Sequence, residues 1–131
     1  MKEIKSVFDL ALVSENLYKG QDPQLLIVTS SECYWCQQFA HEWREISSAL
    51  GSDCQVYVLS VQAAGGERIL REGMGFFFQH DIGESIGYPS IYLLGSATLP
   101  IEISPEVFWD PQHQHFLRQQ LVTSIRERIL E

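Results

Sequence analysis

Two hydrophobic rhythms alternate along this chain. Leu25-Leu26-Ile27-Val28 and Val56-Tyr57-Val58-Leu59-Ser60-Val61 are short, nearly unbroken apolar runs, the pattern of strands covered on both faces of a parallel sheet. Between them Cys36, Phe39, Ala40, Trp43, Ile46 and Leu50 recur at intervals of three and four, with Gln37, His41, Glu42, Arg44, Glu45 and Ser48 opposite. That spacing predicts one amphipathic helix over 33–50, ended by Gly51. Strand, helix and strand with short links form a βαβ unit, so the two strands should run parallel.

The flanks read less evenly. Ile4, Val7, Phe8, Ala11 and Leu12 keep helical spacing, which predicts a helix over 4–19 stopped by Gly20. Ser90 to Leu94 reads as a strand and Gly95-Ser96 as a tight turn. Leu99, Ile101 and Ile103 alternate with Pro100 and Glu102, completing a hairpin whose second strand Pro100 assigns to a sheet edge. A loop over Ser104 to Pro111 leads to a last helix carrying Phe116, Leu117, Leu121, Ile125 and Ile129. The stretch from Gln62 to Gly87 has no clear period; within it Phe76-Phe77-Phe78 reads as core.

At 131 residues the expectation is a single domain, 1–131, able to bury a core without a disulfide staple. A net charge of −8 argues against nucleic acid and anionic membrane surfaces as partners. No run approaches the roughly 20 apolar residues of a membrane span. No apolar leader follows Lys2 and Lys5, so the expectation is the cytoplasm, or the periplasm or exterior had a leader been removed ahead of Met1.

The three cysteines are Cys33, Cys36 and Cys54, too few for a disulfide framework. Cys33 follows a strand and opens a helix, where unpaired N–H groups and the helix dipole favour a thiolate. It is therefore the candidate nucleophile. Cys36 lies one turn further along the apolar face, placed to resolve a mixed disulfide formed by Cys33. Metal binding and inert cysteines are the competing readings. A Cys2His2 site with His113 and His115 would need the C-terminal loop to reach the dithiol and lacks the usual histidine spacing. We expect no metal and no cofactor. Cys54 reads as a small buried hydrophobe, His41 as a solvated helix residue, and His80, His113 and His115 as loop or helix-start residues.

Gly87-Tyr88-Pro89-Ser90 stands directly before a strand, where proline suits a tight turn with a cis bond. With the dithiol and the order of elements, residues 24–130 resemble the thioredoxin superfamily; Gly-Tyr-Pro-Ser-Ile is similar to a loop of protein disulfide isomerase domains. The resemblance implies an α/β thioredoxin-like fold, a central mixed sheet of about four to five strands flanked by helices. It implies a cis-proline loop at Pro89 beside the dithiol, with Tyr88 pairing to substrate backbone. Tyr34 and Trp35 read either as an aromatic lip for substrate or as Trp35 packed near Pro89 with Tyr34 exposed.

The chain departs from the family at three places. Glu32 precedes Cys33, Tyr34-Trp35 replace the usual residues between the cysteines, and Ile27 stands where a buried carboxylate assists the second cysteine. A like charge at Glu32 opposes ionisation next to it, so we expect a modestly activated thiol and not a strong oxidant. The leading function is a thiol–disulfide oxidoreductase acting on protein disulfides, partnered by a substrate protein and a recycling redox protein. The alternatives are a non-catalytic interaction module of the same fold and a glutathione-linked, glutaredoxin-like enzyme.

Overall fold

The computed structural model describes residues 1–6, 9, 23–30, 33–60, 89–95 and 101–130. The two apolar runs are strands as expected: β2 is Gln24–Thr29 and β3 is Gln55–Ser60. They pair in parallel from Gln24–Gln55 to Thr29–Ser60. A short strand β1, Lys2–Glu3, lies parallel on the outer side of β3. This corrects the helix expected from Ile4: the Ile4 N–H donates to Val58 O at 2.9 Å and its side chain is buried. An edge hydrogen bond and a place in the core outweigh helical spacing at that residue. Most of the remaining expected helix, and all of 61–88, lies outside the described residues.

The amphipathic stretch keeps its apolar face but divides into α1, Tyr34–Phe39, and α2, Glu42–Leu50. Ala40 donates its N–H to Gln37 O at 3.5 Å, three residues back, so the four-residue hydrogen-bond ladder breaks there. Both Ala40 and His41 keep right-handed helical angles. Cys36, Phe39, Trp43, Ile46 and Leu50 are consequently all buried.

β4, Ser90–Leu94, runs antiparallel to β2, and β5, Ile101–Ile103, antiparallel to β4. The five strands order as β1-β3-β2-β4-β5, with β5 at the edge. Gly95, at φ 89°, follows β4 in a conformation that favours glycine; the expected turn residue Ser96, with Leu99 and Pro100, lies outside the described residues. Leu25, Leu26, Ile27 and Val28 are all fully buried, so β2 is covered on both faces.

The expected loop after β5 carries more structure than its composition suggested. A 3-10 turn, Pro105–Phe108, leads into a two-stranded ribbon of β6, Trp109–Asp110, and β7, His115–Phe116. Phe116 and Leu117 therefore precede the last helix, α3, which is Arg118–Leu130. Leu121, Val122 and Ile125 of α3 join Trp43, Ile46 and Leu50 in one apolar cluster with Leu25, Val56 and Ile91. Glu42, expected on the solvent face, is buried and accepts from Arg118 Nη1 of α3 at 3.1 Å.

Candidate dithiol site

Cys33 is the residue capping α1. Its backbone is extended at φ −95°, ψ 125°, and its carbonyl accepts the Gln37 N–H at 3.1 Å. Its sulfur accepts the Cys36 N–H at 3.2 Å, the position a Ser or Asp side chain takes at other helix starts. The Cys33 N–H in turn donates to Ser30 O at 3.3 Å. This sulfur is thus fixed to the helix start while its residue stays only half-buried.

Cys36 occupies the opposite environment. It is buried at 2% exposure, and its thiol hydrogen-bonds the Cys33 sulfur, so the two sulfurs are in contact. Burial, chiefly, pushes the Cys36 thiol pKa up; the hydrogen bond to Cys33 and the charge Cys33 carries when ionised act the same way. Opposing them, the Thr29 side chain and the Ser30 N–H, the latter at 3.4 Å, donate to Cys36 Sγ.

Thr29 closes β2 and Ser30 follows it, and neither carries a sequence motif that marks it. Their signal is positional: the last strand residues before a buried helix-start cysteine point polar groups at its sulfur. Ile27 is fully buried in the apolar cluster. Polar support for Cys36 thus comes from Thr29 and Ser30, two and three residues along. Glu32 lies outside the described residues.

The β2–β4 register ends on Val28–Ser90. Pro89 directly precedes Ser90, the last residue of β4 in that register. Pro89 is buried. It also lines a groove of about 440 Å³ with Trp35, Phe39, Glu102, Pro105 and Trp109. Trp35 is 41% exposed and meets Trp109 edge-on at 5.4 Å between ring centres. Tyr34 is 65% exposed and meets Trp35 edge-on. Trp35 thus packs on Trp109 and lines the groove with Pro89, while Tyr34 stands outward. Tyr88 lies outside the described residues. Neither cysteine is among the described residues lining the groove, which Trp35 links to the dithiol.

The described arrangement also separates His113 and His115 from the cysteines. They cluster with Asp110 on the β6–β7 ribbon, and no cluster among the described residues joins them to Cys33 or Cys36. The Cys2His2 alternative finds no support. Cys54 is buried at 1% in the core, and burial pushes its thiol pKa up to about 12.

No protein-family model matches the sequence, and no curated protein matches it. Solved structures do match. The J-Trx1 fragment of ERdj5 superposes with a TM-score of 0.62 at 16% identity, over 99% of this chain and 52% of that one. This chain therefore spans about half the length of that fragment. Thioredoxin O2 from Arabidopsis thaliana, in the oxidized state, gives a TM-score of 0.61 at 13% identity, over 96% of this chain and 91% of its own. The first thioredoxin domain of mouse protein disulfide-isomerase A4 gives 0.50 at 22% identity over 86% of this chain. The chain has the thioredoxin fold. At these identities the likeness concerns the path of the backbone, and the chemistry must be argued from this chain's own residues. Within this thioredoxin fold the Cys33–Cys36 pair sits at the end of β2 and the start of α1. Among the described residues no helix is long and apolar enough to cross a membrane.

Proposed function

We propose that this chain, acting as one domain, is a thiol–disulfide oxidoreductase for protein disulfides. The observation carrying the proposal is the contact between the two sulfurs, with the Cys36 N–H donated to Cys33 Sγ at 3.2 Å. Cys33, half-exposed, attacks a substrate disulfide as its thiolate; the substrate S–S bond breaks and one substrate sulfur leaves as a thiolate. The new bond is a mixed disulfide at Cys33. Cys36 then loses its proton and attacks Cys33 Sγ, which releases the second substrate thiolate and closes the Cys33–Cys36 disulfide. Two electrons pass from the dithiol to the substrate, and an external dithiol partner restores the reduced pair.

Burial keeps Cys36 protonated until that second step. Thr29 and Ser30 donate to its sulfur as charge develops there. The groove lined by Pro89 and Trp35 is assigned to the polypeptide around the target disulfide. Its aromatic walls suit an apolar side chain, and the exposed Glu102 and Glu106 suit a neighbouring cationic one.

The test is reduction of insulin disulfides in the presence of dithiothreitol. The proposal requires acceleration that disappears in Cys33→Ser. No acceleration by the wild type leaves a non-catalytic module; activity confined to glutathione mixed disulfides leaves the glutaredoxin-like reading.

A further inference from the structure

A second group of metal-type donors lies outside the dithiol. Asp110 and His115 are directly paired across the β6–β7 ribbon, so their side chains leave the same face. The turn between them returns His113 to that face. Gln114, at φ 51°, makes the return possible by adopting the left-handed conformation within a four-residue connection. Asp110 holds this turn with one oxygen: Oδ1 accepts the Gln112 N–H at 3.0 Å and the His113 N–H at 3.3 Å. Its other oxygen, Oδ2, faces the imidazoles, 2.7 Å from His113 Nδ1 and 3.7 Å from His115 Nε2.

One donor atom from each of the three residues lies within 4.8 Å of the others. A tetrahedral ion held at about 2.0–2.1 Å by each ligand separates its ligands by about 3.3 Å. The distances from Asp110 Oδ2 fall on either side of that value, and both imidazoles are exposed, so their rings can turn toward a shared ion. Two imidazoles and one carboxylate are a donor set for first-row divalent ions.

We infer that Asp110, His113 and His115 form a surface site for a divalent transition-metal ion of the Zn²⁺ and Cu²⁺ class. Three protein ligands leave the remaining coordination to water or to a group from a partner. The site is continuous with the groove through Trp109, which precedes Asp110 and contacts Trp35. A bound ion fixes both ends of the ribbon turn and hence the wall that Trp109 contributes.

The test uses the full chain without an affinity tag, carrying Cys33→Ser and Cys36→Ser so that no dithiol competes for metal. Zn²⁺ is titrated by calorimetry, and Cu²⁺ by quenching of tryptophan fluorescence. The expected result is one site per chain with micromolar affinity, weakened at least tenfold by His115→Ala and by His113→Ala. Asp110→Asn keeps the oxygen that holds the turn and removes the charge, and it is expected to weaken binding as well. Gln112→Ala, on the same turn, is expected to leave binding unchanged. Millimolar affinity, or micromolar binding that persists when both histidines are replaced, overturns the assignment.

Discussion

The backbone N–H of Cys36 donates to the sulfur of Cys33 at 3.2 Å. One residue therefore supplies both a buried thiol and a donor to the half-exposed cysteine's sulfur, within a single helical turn. The pair is asymmetric: the sulfur with access to solvent is the one at the helix start, and its partner lies in the core. The order of attack proposed above rests on that difference in exposure.

Alkylation should follow the same order. Iodoacetamide at pH 7.5 is expected to modify Cys33 first, Cys36 at least tenfold more slowly, and Cys54 only on unfolding. Peptide mapping by mass spectrometry over time reads all three sites. Early labelling at Cys54 would contradict the burial assigned to it.

Cys54 gives a pH prediction with a definite sign. Its thiol titrates near 9.0 when free and near 12 in the fold, so above pH 9 the unfolded chain releases a proton that the folded chain retains. Stability is intact below that point and falls as pH rises towards 12, by about 1.4 kcal/mol per unit. Cys36 and Tyr57 are shifted in the same direction, so the quantity to measure is a difference. Urea unfolding between pH 8 and 10.5 should show a shallower decline in Cys54→Ala than in the wild type.

Arg118 is expected to matter for stability through Glu42. The Glu42 carboxylate is buried, and Arg118 Nη1 at 3.1 Å and His41 Nε2 at 2.8 Å are its partners. Arg118→Ala leaves that carboxylate without its guanidinium and should cost about 1–3 kcal/mol, read as a lower urea midpoint. Replacing Glu42 by Gln along with it should recover part of the loss.

The groove yields a substrate prediction. Trp35→Ala removes one wall and its edge-on contact with Trp109, and it should lower kcat/KM on peptide disulfides roughly tenfold (about 1.4 kcal/mol). Glu102→Gln with Glu106→Gln should reduce the rate on a lysine-flanked disulfide peptide more than on a neutral one. Equal effects on both peptides would remove charge from the account of this groove.

How far the sequence could be read depended on how local each signal was. Leu25–Val28 was legible because full burial on both faces demands apolar residues at consecutive positions, and Val56–Ser60 because its run is nearly as apolar although Tyr57 and Ser60 are only half-buried. The dithiol was legible because Cys33 and Cys36 are bound to one helical turn. Ile4 was not, because its place is decided by a strand more than fifty residues away, at Val58. Glu42 misled for the same reason: its burial depends on Arg118, which no spacing in α2 reveals. The β6–β7 ribbon is only two residues per strand, below the length at which alternation shows. Thr29 and Ser30 read as ordinary strand-end residues until Cys36 was seen beneath them.

The most direct test is redox equilibration of the full chain in glutathione buffers of stepped ratio, with thiols quenched and counted by mass. A reversible Cys33–Cys36 couple predicts one two-electron transition in which two thiols disappear together as an internal disulfide. Cys36→Ser should convert that species to a glutathione adduct at Cys33. Persistence of both thiols across the whole range, or a stable glutathione adduct on the wild-type chain, would contradict the account.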